Sequence, residues 1–316
     1  LTYTIYVIHV GICVGMLVLM LPFGKLSHLM YRPLAIFLCT IKQKAQKDSE
    51  AKSAIIRSEV GDAFQSCMQC GTCSAVCAGA EVAAFNPRLV LRNISLDRGS
   101  NVSVDSAAWG CVTCNSCVEH CPRGIGILDL IKSVRRQVVS AGLLPKSFET
   151  PISSLKKNGN PWSGKKENRL DWAKGAKLPS FTQEHEYCLF TCCTTAYDNA
   201  SDKPGQRAGL ALLSLMAHAG VSYGTIGTKE NCCGDMVDKV GAADVAADLT
   251  KKNTEMFLGA GVKKILTTSP HCLNSFNHDY PGLKEVVEVE HAVELLDKLV
   301  AEGQLKPVKS QNLTVT

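Results

Sequence analysis

The rhythm of hydrophobic and polar positions changes along the chain. Residues 3–21, YTIYVIHVGICVGMLVLML, are an apolar run without a formal charge, and about 20 such residues suffice to cross a bilayer as a helix. LPFGK breaks the run. A second apolar or interfacial helix is expected at about 26–41 and a polar helix from about 43 to 65. Further helices are expected over 86–95, NPRLVLRNIS, and over ILDLIKSVRRQVVSAG. From residue 185 the pattern alternates. EYCLFT, VSYGTIG and VKKILTTS read as strands, with GQRAGLALLSLMAHAG and ADVAADLTKKNTEMFLGAG as helices between them. LKEVVEVEHAVELLDKLV adds a strand and a last helix. Such alternation predicts a parallel α/β sheet.

Composition sharpens this picture in three ways. The 316 residues include 16 cysteines, most of them in adjacent pairs or two to three residues apart. In a chain of this length that clustering suits metal ligation and needs reduced thiols, hence a reducing compartment. The net charge of +5 is mild, with no aromatic-rich basic surface, so nucleic acid is not an expected partner. Lys25, Arg32, Lys42, Lys44, Lys47 and Lys52 follow the apolar run and place everything downstream in the cytoplasm, at the cytoplasmic membrane. The run lacks the basic start and small-residue cleavage site of a signal peptide.

Residues 143–184 are rich in Pro, Gly, Ser and Lys. Residues 156–177 hold seven Lys/Arg against two Asp/Glu. They read as a solvated linker or as a docking strap for an acidic partner. Trp162 and Trp172 imply that the strap packs along a domain.

Two cysteine runs share one spacing, CxxCxxCxxxC: CMQCGTCSAVC from Cys67 and CVTCNSCVEHC from Cys111. Such a loop turns three sulfurs to one cubane cluster, and the fourth serves the other cluster when two runs are present. Cys67, Cys70, Cys73 and Cys121 are therefore assigned to one [4Fe–4S] centre, and Cys111, Cys114, Cys117 and Cys77 to the second. Zinc prefers paired CxxC motifs and fits poorly. The runs resemble bacterial-type ferredoxins, although Ala78 stands where the second run has Pro122. Two such clusters make a wire and not a catalyst.

A second grammar follows in TCCTTAYD, ENCCGDM and SPHCLNSF. These motifs resemble the cysteine-rich CCG domain of heterodisulfide reductases, whose elements are thirty to forty residues apart. The intervals Cys193 to Cys232 and Cys233 to Cys272 fit that spacing. The first motif with TTSPHC also resembles the catalytic subunit of the sulfite-reduction-associated membrane complex. The resemblance implies a noncubane [4Fe–4S] cluster on Cys192, Cys193, Cys232, Cys233 and Cys272, which would also be the catalytic residues. Two departures stand out: Ser275 replaces the last cysteine of CxxC, and the first element is doubled, so Cys192 or Cys193 could be merely buried. Because three strands run directly into these cysteines, they are expected to converge at the carboxyl edge of the sheet. Cys188, Cys13 and Cys39 read as packing residues. His271 adjoins Cys272 and reads as a neighbour of the site. His291 reads as structural, and His185, His218 and His278 as surface residues.

The segment VIHVGICVGMLVLMLPFGKLSHLMYRP resembles the final helices of the nitrate reductase gamma-type cytochrome b. His9 and His28 would occupy haem b positions, each with a partner histidine from helices of a preceding segment or another subunit. A continuous helix would set them about 28 Å apart, too far to share one iron.

These readings give a multi-domain chain. An N-terminal transmembrane helix (residues 1–45) precedes an α-helical 2x[4Fe–4S] ferredoxin-like domain (46–142), the strap (143–184) and an α/β CCG domain (185–316). The expected function is a membrane-bound iron–sulfur oxidoreductase. Electrons would run between the menaquinone pool, haem b, two cubanes and the CCG cluster, ending at a thiol/disulfide carrier. The alternative is a quinone-coupled relay for a dehydrogenase or electron-transfer flavoprotein, and a third possibility is a module without turnover. GIGILDL follows a cysteine run and not a strand, which argues against a flavin here.

Overall fold

Tyr187, Cys188, Leu189 and Phe190 are buried at every position, which is the signature of a strand covered on both faces. They form β1, Tyr187–Phe190, of a four-stranded parallel sheet. The other strands are β2 (Tyr223–Gly224), β3 (Lys264–Thr267) and β4 (Glu288–His291). Their order is β2-β1-β3-β4, with Cys188 paired to Ile265 and Thr267 to His291. Chain direction across the sheet therefore switches between β1 and β3. The carboxyl ends of strands at such a switch point border a ready crevice.

The computed structural model describes residues 2–23, 27–80, 85–96, 108–176, 178–198 and 201–309, without the side chains of 19–23, 27–30, 43, 45–53 and 62. The chain divides into two compact units, Leu1–Val134 and Arg135–Thr316.

In the first unit α1 (Thr2–Phe23) leads to α2, Ser27–Val60. The two helices expected at 26–41 and 43–65 are thus one, with Pro33 in its first turns. The transmembrane helix expected at residues 3–21 is overturned. Among the described residues, no helix is long and apolar enough to cross a membrane. Thr2, Thr4 and His9 interrupt the apolar side chains of α1, and a span needs about 20 predominantly apolar residues. The orientation argument from the basic flank falls with the span; Lys25, Lys47 and Lys52 of that flank, and His28, have side chains outside the described residues. Cys13 and Cys39, expected to be packed, are exposed.

Downstream, α3 (Thr72–Ala75), α4 (Pro87–Ser95), α5 (Ser116–Glu119) and α6 (Ile127–Ser140) surround a small apolar core. Asn86 caps α4 by accepting the Leu89 amide at 3.1 Å, and Pro87 fills the first helical position, where no amide is needed. Phe64, Leu91, Ile94, Ile127 and Leu130 are fully buried.

The second unit adds α7 (Lys146–Asn158) and a 3-10 stretch, Lys166–Ala173. Around the sheet lie α8 (Cys193–Tyr197), α9 (Pro204–His218), α10 (Asp235–Val240), α11 (Ala243–Gly259), α12 (Pro270–His278) and α13 (Ala292–Ala301). Phe190, Phe257, Phe276 and Tyr280 pack edge to face, with ring centroids 4.9–5.9 Å apart in successive pairs, a geometry that orders a core beyond simple burial. His291 caps α13: its Nδ1 accepts from the Val293 amide while Glu294 accepts from the His291 amide.

The segment read as a linker or as a strap packed along a domain is buried in part. It forms a helix and a 3-10 stretch, and buries Ile152, Leu155, Arg169, Trp172 and Ala173.

Candidate metal centres

The two CxxCxxCxxxC runs fold alike. Gln69 and Thr113 hold left-handed backbone, and so do Gly71 and Asn115 two residues later. Glycine and asparagine accept that conformation at least cost. Gly71 and Asn115 begin α3 and α5, which carry Cys73 and Cys117. Amides turn toward sulfur, with Thr113 N donating to Cys111 Sγ and Ile125 N to Cys121 Sγ, both at 3.4 Å. The Thr72 hydroxyl lies 3.4 Å from Cys70 Sγ and lowers that thiol from its ordinary value.

Cys67, Cys70, Cys73 and Cys121 line one cavity with Gly71, Arg88 and Ile125. The last cysteine of the second run thus joins the first three of the first. Cys117 is pushed up to about 12 by burial and then by Cys111, Cys73 and Cys114. Cys77 lies beside Gly79, which abuts the Gly110 carbonyl next to Cys111. Four thiols about one cavity, met by N–H donors, suit the donor set of a [4Fe–4S] cubane. Among the described residues, no group of three or more His, Cys, Asp or Glu is arranged to hold a single metal ion.

In the second unit five cysteines converge beyond the sheet. Cys192 and Cys193 follow β1, Cys272 lies in α12 after β3, and Cys232 and Cys233 precede α10. Gly234, at φ 88°, makes the left-handed turn into α10, which is why a glycine must follow the cysteine pair. The thiols form a chain of neighbours, Cys193, Cys232, Cys233, Cys272 and Cys192. The hydrogen bond from Cys272 lowers Cys192 to about 5. Cys193, bonded to Cys232, and Cys272, bonded to Cys192, are held well above the usual thiol range by those bonds and by burial. Bound iron would favour thiolates throughout this group. Both Cys192 and Cys193 belong to this hydrogen-bonded group of thiols. Cys188, inside β1, is core.

Neighbouring side chains fix the carbonyls of the cysteine pair. Tyr280 OH and the Ser275 hydroxyl donate to Cys233 O at 2.8 and 3.1 Å, and Asn253 Nδ2 donates to Cys232 O at 2.9 Å. Ser275 thus supports the backbone. His271 Nδ1 lies 3.2 Å from Asp235. On the opposite side Arg169 is buried with Glu230, its Nε 3.1 Å from the carboxylate, and Nη1 reaches Cys193 Sγ at 3.9 Å.

The sequence reading missed Arg169, Asn253 and Tyr280. Arg169 was masked by the surrounding lysines; the signal was an arginine framed by Leu170 and Trp172. His9 lies on exposed α1, 3.6 Å from Cys13 Sγ.

Residues 66–125 match the 4Fe-4S dicluster domain model and residues 187–277 the CCG cysteine-rich domain model. The chain is similar to the EtfAB:quinone oxidoreductase of Syntrophomonas wolfei, at 36% identity over 66% of this chain and 30% of that protein. It is 31% identical to the probable iron-sulfur-binding oxidoreductase FadF of Bacillus subtilis, over 73% of this chain and 32% of FadF. It is 28% identical to one of the subunits of the dihydromethanophenazine:CoB–CoM heterodisulfide reductase of Methanosarcina mazei, over 66% of this chain and 50% of that polypeptide. The chain thus spans about a third to a half of the length of these relatives.

Proposed function

We propose that this chain, which joins a 4Fe-4S dicluster domain to a CCG domain and is homologous to heterodisulfide reductase subunits and FadF-like iron–sulfur oxidoreductases, relays electrons between a flavoprotein and a quinone-linked partner. Cys67, Cys70, Cys73 and Cys121 would hold one cubane, and Cys111, Cys114, Cys117 and Cys77 the other. Cys192, Cys193, Cys232, Cys233 and Cys272 would hold the noncubane cluster. When bound, such clusters accept and release single electrons.

One observation carries the relay reading. Four of the five CCG thiols are at most 6% exposed. Electron transfer tolerates burial, whereas exchange with a substrate disulfide needs contact at sulfur. Arg169 lies against Cys193 Sγ, and Tyr280 and Asn253 hold the carbonyls of Cys233 and Cys232. A second reading, disulfide reduction, rests on a cleft of about 650 Å³ whose wall includes Cys233 and Ser275, within the usual size of small-molecule sites.

The partner classes come from the name of the 36% identical relative. A cleft lined by Lys156, Lys157, Lys166, Lys229 and Lys252, with Glu255 as its one acidic residue, supports an acidic docking partner. Its wall includes Asn231, next to Cys232. A place at a membrane rests on a relative named a probable membrane-anchored ferredoxin and not on a spanning helix of this chain. Haem b is not carried into this reading: neither matched domain reaches back to His9 or His28.

The test uses the anaerobic holoprotein reduced with dithionite and desalted. It is mixed with an oxidised electron-transfer flavoprotein or with a low-molecular-weight disulfide, and the clusters are followed by absorbance and EPR. Rapid oxidation by the flavoprotein alone supports the relay. Oxidation by the disulfide, lost in Cys233→Ala, replaces the relay with the reductase.

A further inference from the structure

We infer that Arg169 is a positioning residue that sets the reduction potential of the CCG centre; this rests on the ligand reading above. Four observations lead there. The guanidinium is 1% exposed, so its charge is not screened by water. Its three nitrogens have separate tasks: Nε faces Glu230 at 3.1 Å, Nη2 donates to Thr191 O at 2.6 Å, and Nη1 reaches Cys193 Sγ at 3.9 Å. Glu230 is itself held, since its Oε1 accepts from the Thr225 hydroxyl at 2.8 Å. Finally, Arg169 lies over the Phe190 ring, 5.5 Å from its centroid.

A buried ion pair is weak evidence for stability, because desolvation offsets much of the attraction. Here the pair has a geometric consequence. Thr191 directly precedes the cysteine pair, so Arg169 holds the end of β1 and aims a cation at Cys193, the second sulfur after it. Lysine would keep the charge but not all three contacts, since it lacks the planar fork. A one-electron reduction adds one negative charge at the centre, with dithionite as the donor. A cation and an N–H donor at a ligand sulfur favour that electron-richer state. The part of the chain that resembled a linker thus supplies the charge that tunes the site.

The experiment is an EPR-monitored redox titration of the anaerobic holoprotein and three variants. Arg169→Gln should make reduction of the CCG centre at least tenfold less favourable, about 59 mV lower for one electron. Glu230→Gln, which frees the cation, should move the potential upward. Arg169→Lys should keep it closer to wild type than Arg169→Gln does. The cubane potentials should not move. The inference is overturned if Arg169→Gln leaves the CCG potential unchanged, or if Arg169→Gln and Glu230→Gln shift it in the same direction. Should Arg169→Gln lose its CCG iron, Glu230→Gln decides: a rise supports the inference, and no rise overturns it. Wild-type protein with only about eight irons, the content of two cubanes, would sink the ligand reading itself, a result distinct from any potential shift.

Discussion

Gln69 and Thr113, each two residues past the first cysteine of its run, hold the same left-handed backbone, with φ of 56° and 57°. The same correspondence recurs at Gly71 and Asn115, φ 87° and 64°. The two loops are therefore copies in conformation as well as in spacing. Gly71→Val should cost about 1–2 kcal/mol, the price of a side chain in left-handed backbone. Asn115→Gly should stay within a few tenths. The midpoint of iron release in urea, measured anaerobically, checks both.

Cys272→Ala removes one of five converging thiols. About twelve irons are expected in the wild type, four per cluster, and about eight in the variant, with both cubane EPR signals retained. On the proposed assignment those signals would come from eight cysteines that lie in a separate unit of the chain. An unchanged iron content would exclude Cys272 as a ligand.

Ser275 sits where a further cysteine of the motif would stand, yet its hydroxyl donates to Cys233 O. Ser275→Ala should leave iron content unchanged and lower stability by about 0.5–1.5 kcal/mol, the usual worth of such a bond. Adding Tyr280→Phe removes the second donor to the same carbonyl. The double variant should lose more than the sum of the two, because the carbonyl is then buried without either side-chain donor. Denaturant midpoints of the four proteins complete the cycle.

The lysine cleft predicts a salt-dependent encounter. Lys157→Glu with Lys229→Glu should slow oxidation of the reduced protein by an acidic electron-transfer flavoprotein at low ionic strength. Wild type should slow as salt is added, and the variant should lose most of that dependence, since screening acts on exposed charges. Stopped-flow rates across an ionic-strength series provide the measurement. Equal slopes for the two proteins would remove the cleft as the docking face.

What the sequence determined by itself was chemistry governed by local spacing. CxxCxxCxxxC fixes which sulfurs share a loop, the glycine of CCG marks a left-handed turn at residue 234, and strand–helix alternation announces a parallel sheet. Convergence of Cys192, Cys193, Cys232, Cys233 and Cys272 was legible too, because parallel strands deliver their carboxyl ends to one edge. The rest depended on contacts between residues distant in sequence. An apolar run such as 3–21 does not state its own environment, so hydropathy alone promised a membrane span that the described helix does not provide. Lysine-rich composition hid Arg169, whose role arises only when Glu230 and Cys193 meet it in a buried pocket. Asn253 and Tyr280 look like ordinary helix and loop residues until the fold sets them against the carbonyls of Cys232 and Cys233. Ligand identity is written in residue type and interval, whereas orientation, burial and the field at a sulfur belong to packing, which no local pattern encodes.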